Sequence, residues 1–272
     1  MCIETLLTAA TPMRLPIYQV DAFTGERFHG NPAAVVPLER WPNDRLLQAI
    51  AAENNLSETA YFVGEGDGYR IRWFTPAAEV DLCGHATLAS AFVLFHHLGH
   101  RGDRVTFSSA SGELAVERDG GLLALDFPSR PGVMVAPPPA LAASLGREPL
   151  EVLKSRDYLV VCADEEEVRT LQPDFRLLAS LREATGVIVT ARGREADFVS
   201  RFFAPQCGID EDPVTGSAHC TLVPFWSRRL GRKAMRALQV SARGGELFVE
   251  DRGGRVRIAG RAVTYLEGTI EV

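Results

Sequence analysis

The chain lacks any run of about 18 apolar residues, so no membrane-spanning helix is expected. The opening residues, MCIETLLTAATPM, lack the basic start and long apolar stretch of a secretory signal. They read as an extension, residues 1–15, with Met13 a second candidate for the true start. Clustered positive charge is also missing. Against 35 Asp and Glu there are 29 Lys and Arg, a net charge of −6, and the basic residues gather only in short bits such as Arg228, Arg229, Arg232 and Lys233. That is too little for a nucleic-acid footprint. The five cysteines (Cys2, Cys83, Cys162, Cys207, Cys220) are odd in number, widely spaced and never in CxxC. This argues against a disulfide framework or zinc knuckle and fits free thiols in a reducing cytoplasm. There is no GxxxxGK[ST] loop, no GxGxxG after a strand and no GxSxG elbow. No cofactor, metal, nucleic-acid or membrane partner is therefore expected, only a small molecule.

What is present is ordinary globular composition, 46% hydrophobic and 24% charged over 272 residues. Strand patterns fall at 17–22, 33–38, 59–63, 69–74, 104–107, 113–117 and 122–127, and again at 158–163, 186–191 and 197–203. Helical patterns cover 44–53, capped by Asn43, and 84–99, closed by a glycine. Two further helical pieces are broken at Pro173 within 164–181, and another helix covers 216–230. Residues 128–139 hold five prolines and are the best linker.

An internal repeat organises this pattern. Arg72-Trp73-Phe74-Thr75-Pro76 matches Arg201-Phe202-Phe203-Ala204-Pro205. Gly84-His85-Ala86 follows the first copy and Gly216-Ser217-Ala218 the second, with Asp81 and Asp212 ahead of the glycines. Each glycine opens a segment, Ala86 to Phe95 and Ser217 to Trp226, that contains no Asp, Glu, Lys or Arg. A helix apolar all round must be buried, and these are too short to span a bilayer. The expected fold is α+β: two pseudo-symmetric domains, each a barrel-like, mostly antiparallel sheet around a central apolar helix. The bland alternative is one buried helix in an ordinary α/β sandwich.

The helix starts are the candidate binding positions. Their first N–H groups have no partner within the helix, and glycine lets a ligand approach them. Gly84, Ala86, Gly216, Ser217 and Ala218 would grip a small carboxylate if the two starts face each other; read singly, each is ordinary helix capping. His85, at a positive helix end, would be neutral and suited to proton transfer, though a lone histidine is commonly structural. Glu58 stands where polar sequence turns into an apolar strand. It is either a desolvated acid/base with a raised pKa or a solvated loop acid. Asp212 completes the candidate set, with complementing the helix dipole as its plain alternative. His219 and Cys220 lack the surrounding ligands of a metal site.

Five motifs in order resemble the PhzF-like phenazine biosynthesis family: Ile17-Tyr18-Gln19-Val20-Asp21-Ala22-Phe23, Gly30-Asn31-Pro32-Ala33, Asn55-Leu56-Ser57-Glu58-Thr59, Asp81-Leu82-Cys83-Gly84-His85-Ala86-Thr87 and Glu211-Asp212-Pro213-Val214-Thr215-Gly216-Ser217-Ala218. The resemblance implies a diaminopimelate epimerase-like fold with the active site between its halves. It implies domains at 16–127, completed by the last strand 263–272, and at 128–262, often in a homodimer. It also implies cofactor-free isomerisation of the kind that converts trans-2,3-dihydro-3-hydroxyanthranilate to its ketone tautomer. In that chemistry Glu58 shuttles the proton and Asp212 and His85 assist. Related racemases place one cysteine before each helix-start glycine; here Cys83 fills the first place and no cysteine fills the second. An amino-acid epimerase or a non-catalytic metabolite binder of the same fold are the alternatives.

Overall fold

A computed structural model describes residues 13–272. Cys2 and all but residues 13–15 of the expected extension lie outside the described residues. The first half comprises β1 (Arg14–Ala22), β2 (Asn31–Leu38), α1 (Asp44–Asn54), β3 (Glu58–Glu65), β4 (Gly68–Phe74), β5 (Glu79–Val80), α2 (Gly84–His96), β6 (Arg104–Ser109), β7 (Gly112–Asp119) and β8 (Leu122–Pro128). The second comprises β9 (Val133–Met134), α3 (Pro139–Leu145), β10 (Glu151–Lys154), β11 (Tyr158–Val161), α4 (Glu165–Thr170), α5 (Phe175–Leu178), β12 (Val187–Arg192) and β13 (Phe198–Ala204). It continues through β14 (Ile209–Asp212), α6 (Gly216–Leu230), β15 (Ala234–Gln239), β16 (Gly245–Asp251) and β17 (Arg255–Gly260), and β18 (Ala262–Glu271) ends the chain.

The two halves repeat one pairing scheme. In the first, β1–β2 is antiparallel, β2–β3 parallel, β3–β4 antiparallel, β4–β6 parallel, and β6–β7 and β7–β8 antiparallel. In the second, β10–β11, β11–β12, β12–β13, β13–β15, β15–β16 and β16–β17 follow in the same senses. Antiparallel pairing of β8 with β17 joins the halves into one 18-stranded sheet. The strand after each half pairs with the first strand of the other: β9 with β10, and β18 with β1. The proline-rich segment 128–139 thus ends β8, supplies β9 and opens α3.

The repeat seen in sequence occupies equivalent places, on β4 and β13. Arg72 donates to both carboxylate oxygens of Glu79 at 2.7 Å, and Arg201 to both of Glu211 at 2.7 and 2.8 Å. Helices α2 and α6 are the parallel crossovers of the two halves. Their uncharged surfaces explain their burial: Leu88, Ala89, Ala91 and Val93 of α2, and Leu222 and Val223 of α6, are fully enclosed. Helix α2 ends earlier than its sequence pattern. Leu98 N–H donates to the Val93 carbonyl (3.0 Å) and His100 N–H to that of Leu94 (2.9 Å), with Gly99 at φ +71° turning the chain away.

Phe23 locks the first half onto the second. It is fully buried with φ 63°, a conformation unusual for a bulky residue, and its carbonyl accepts the Glu246 N–H at 2.9 Å. A Cβ on Gly260 would lie 2.5 Å from Phe23 Cδ1 and 3.2 Å from its Cα. Gly260→Ala is therefore expected to cost about 1–3 kcal/mol of stability through overpacking. A fall in denaturation midpoint with unchanged denaturant slope would check it.

Candidate active site

The local fold brings the predicted residues to one place. Strands β2 and β3 run parallel with Ala33 opposite Glu58, which sets Asn31 and Glu58 at the same sheet end. The starts of α2 and α6 meet there from opposite halves. A Cβ on Gly84 would stand 3.6 Å from the Gly216 Cα, and one on Gly216 would stand 3.7 Å from the Gly84 Cα. The two helix starts touch through their glycines, so the positive helix ends converge.

Around this contact lies a buried polar cluster. Asn31 Nδ2 donates to Asp212 Oδ1 at 2.8 Å and to the Val214 carbonyl at 2.9 Å, which uses both its hydrogens. Thr215 Oγ1 donates to Asp212 Oδ2 at 2.5 Å. His85 Nδ1 lies 3.5 Å from the Cys83 sulfur and 3.2 Å from Asn31 Nδ2, whose two hydrogens are already spent. Nε2 points at Glu58 Oε2 across 3.3 Å, but the pair is not aligned as a hydrogen bond. Glu58 Oε2, His85 Nε2 and Asn31 Oδ1 are all buried without a hydrogen-bond partner. Three orphaned polar atoms in one spot mark a place built to meet a ligand.

Electrostatics separates their roles. Burial, then repulsion from Asp212, pushes the Glu58 carboxyl up to about 8. Burial also raises Asp212, to about 6, opposed by its hydrogen bonds from Thr215 and Asn31. Burial lowers His85 to about 3, so the ring is neutral and its contact with Glu58 is not an ion pair. The Cys83 thiol is pushed well up by burial and then by Glu58, so it keeps its proton. Glu58, Cys83 and His85 hold ligand atoms within 4.8 Å of one another, the geometry of a metal group. A thiol so reluctant to ionise is a poor metal ligand, which weighs against a resident ion.

The pseudo-twofold also shows what is not duplicated. Phe74 and Phe203 are equivalent by the repeat; Thr59 pairs with the first and Val187 with the second, so Glu58 corresponds to Gly186. A Cβ at Gly186 would lie 2.3 Å from the Phe202 ring, leaving no room for any side chain. With Gly84 matched to Gly216, Cys83 corresponds to Thr215 and His85 to Ser217. Ser217 Oγ accepts from Arg156 Nη2 at 3.0 Å, and Arg156 is itself braced on buried Asp157 at 3.0 Å. The first half supplies Glu58 and the imidazole, and the second supplies Asp212, Ser217 and Arg156.

The sequence profile described as "Phenazine biosynthesis-like protein" matches residues 20–268. The chain belongs to this PhzF family. It is 53% identical over 260 residues to an uncharacterized isomerase of Pseudomonas aeruginosa, covering 96% of this chain and all of that one (100%). The crystal structure of a PhzF-family protein from Enterococcus faecalis superposes with a TM-score of 0.93 at 48% identity, covering 96% of this chain and 100% of that chain. A hydroxyproline epimerase from Agrobacterium vitis, 9% identical with a TM-score of 0.61 over 95% of this chain and 93% of its own, shares the fold alone. The diaminopimelate epimerase-like architecture implied by the resemblance is thus the one found.

Within this PhzF-family site, Glu58, His85, Asp212, Gly84 and Gly216 come together. Ser217 stands beside them on Arg156, and Ala86 and Ala218 are buried in the first helical turns. Asp81, the acid matched to Asp212 in the repeat, is exposed and takes no part. The offset cysteines do not substitute for a second thiol: Cys207 is exposed against the Thr185 carbonyl. Asn31, Thr215, Gln239 and Arg156 received no role from sequence. Asn31 and Thr215 sat inside quoted motifs; Gln239 and Arg156 carried no local signal. Among the described residues no helix is long and apolar enough to cross a membrane. Roomier hollows open elsewhere; one of about 890 Å³ is rimmed by the exposed Arg14, Glu39 and Arg40.

The raised Glu58 carboxyl has a consequence for stability. A carboxyl whose folded pKa lies above its unfolded value contributes fully at low pH, and the contribution is lost as pH rises through about 8. Glu58→Gln removes that ionisable group. The variant should therefore melt several degrees above wild type at pH 9, and the gap should close near pH 5. Thermal unfolding at the two pH values tests this; an equal gap at both would contradict it.

Proposed function

We propose that this PhzF-family chain is a cofactor-independent isomerase. It moves a proton on a small cyclic or amino-acid-like carboxylate, in the manner of the trans-2,3-dihydro-3-hydroxyanthranilate tautomerisation. Glu58 is the general acid/base that shuttles the hydrogen: its own proton goes to one ring carbon and is replaced by the one it takes from another. The converging helix starts at Gly84 and Gly216, with the Ser217 hydroxyl, receive the carboxylate. His85, held neutral by burial, and Asp212 bind the substrate and relay the proton.

The observation that carries this reading is that the buried Glu58 carboxyl has no counterpart across the pseudo-twofold, where Gly186 stands. A group that must deprotonate one atom and reprotonate another on the same face needs one acid/base. Inversion of a stereocentre needs one on each face. The twofold mate of Cys83 is Thr215, whose hydroxyl is spent on Asp212. That speaks against a two-thiol epimerase.

The test is incubation with candidate cyclic amino acids in deuterated water, reading isotope incorporation and double-bond position by mass spectrometry and NMR. Incorporation without racemisation supports the proposal. Binding with no incorporation would make the chain a metabolite binder, and thiol-dependent racemisation would make it an epimerase.

A further inference from the structure

We infer that Gln239, acting through the Thr215 hydroxyl, decides which of the two buried carboxyls carries their proton: Asp212 is held as the acceptor and Glu58 keeps the hydrogen. This goes beyond the proposed reaction and rests on the hydrogen-bond geometry of the pair, so it stands or falls without a substrate. Gln239 ends β15, is 1% exposed, and lies 27 positions from Asp212 in sequence. Its orientation is fixed by backbone partners that cannot change character. Its Oε1 accepts the Thr215 N–H at 2.8 Å, and its Nε2 donates to the Asp212 carbonyl at 2.7 Å. The remaining Nε2 hydrogen therefore faces Thr215 Oγ1 at 3.1 Å. An oxygen that accepts there must send its own hydrogen elsewhere, and the acceptor within reach is Asp212 Oδ2 at 2.5 Å. Asn31 donates to the other oxygen of the same carboxyl. Asp212 thus accepts on both sides, which is the pattern of a carboxylate.

The surroundings leave Glu58 as the place for the proton. At the start of α2 it meets neutral His85 and the protonated Cys83 thiol, whose hydrogen bond opposes the rise but is outweighed by burial and by Asp212, and its Oε2 has no donor aligned on it. Glu211, next to Asp212, is paired with the Arg201 guanidinium on β13, and its charge is the last and smallest of the influences on Asp212, raising it. One turn along α6, His219 Nδ1 lies 2.9 Å from the Thr215 carbonyl and is also neutral, so it pins Thr215 without adding charge. Gln239 and Thr215 are positioning residues: neither touches Glu58, yet the relay they form sets its protonation.

The test reads the carboxyls directly. Protein carrying heavy-carbon carboxyls in aspartate and glutamate is titrated by NMR, with the two signals assigned through Asp212→Asn and Glu58→Gln. In wild type Asp212 should titrate below Glu58. Thr215→Val keeps the side-chain shape and removes the donor. It should raise the Asp212 midpoint by about one pH unit, a tenfold shift in its proton affinity. Thr215→Ser should restore it, and Gln239→Met should move it in the same direction as Thr215→Val. If Gln239→Met does not fold, the Thr215 pair of variants decides the relay. Asp212 titrating above Glu58 in wild type would overturn the inference, as would Thr215→Val leaving its midpoint in place. A folded Gln239→Met with an unmoved midpoint would remove Gln239 from it.

Discussion

Glu58→Gln is expected to slow proton transfer by a factor of about 10²–10⁴ while leaving carboxylate binding within a few fold. The amide matches the carboxyl in shape, so the touching helix starts and the Asn31–Asp212–Thr215 bonds should survive the change. Neither neighbour at the start of α2 can take over. His85 is held neutral by burial, with its proton affinity down to about 3, and the Cys83 thiol is too hard to ionise. The same logic predicts a bell-shaped pH profile. Two coupled carboxyls share one proton between about 6, where Asp212 loses its proton, and about 8, where Glu58 does. Below that window both are protonated; above it both are charged. Deuterium incorporation measured across pH, in wild type and variant, checks both statements. A variant that retained the wild-type rate would remove Glu58 from the chemistry.

Arg243→Met should produce the largest loss of stability among changes outside the site, about 3 kcal/mol or more. The Arg243 guanidinium reaches from the loop after β15 to Asp21 Oδ1 at 2.9 Å and to the carbonyls of Gly30 and His29, both at 2.9 Å. Asp21 is only 1% exposed, and its second oxygen accepts the Phe28 N–H at 2.9 Å. Methionine preserves the apolar stem but strands a buried carboxylate, which is the costly half of breaking such a pair. The damage should extend to the site, because the carbonyl that Arg243 grips at Gly30 lies next to Asn31, the donor to Asp212. Asp21→Asn in the same chain removes the stranded charge and should recover part of the loss. Chemical denaturation of the two single variants and the double variant measures the coupling. Simple additivity would mean that the ion pair contributes nothing beyond its parts.

Much of the architecture was legible because it was written twice. Arg72 and Arg201 head matching strands, and both clamp an acid from the following hairpin. The uncharged stretches after Gly84 and Gly216 admitted burial and little else. The acids ahead of those glycines misled. The first copy spaces its glycine eight residues after its proline and the second eleven, and only the longer loop turns its acid inward. Asp81 therefore faces solvent while Asp212 is 9% exposed. The rest of the site was illegible for a plain reason. Asn31 meets Asp212 across 181 positions, and Arg156 meets Ser217 across 61. A lone amide or arginine at the end of a strand has no periodicity to announce what the fold will bring against it. Gly186 could not be read as the empty counterpart of Glu58 until strand registers aligned the two halves.

The pairing of β18 with β1, Arg14 opposite Glu271 and Ala22 opposite Ala262, has a consequence for how the molecule is made. Strand β1 waits for β18, made after the whole second half, so the first half emerges from the ribosome with an open edge and an apolar helix it cannot yet fully enclose. Closure of the first half is tied to synthesis of β18 beyond the second. A nascent chain stalled or clipped before β18 would present that edge to chaperones and to its own neighbours instead.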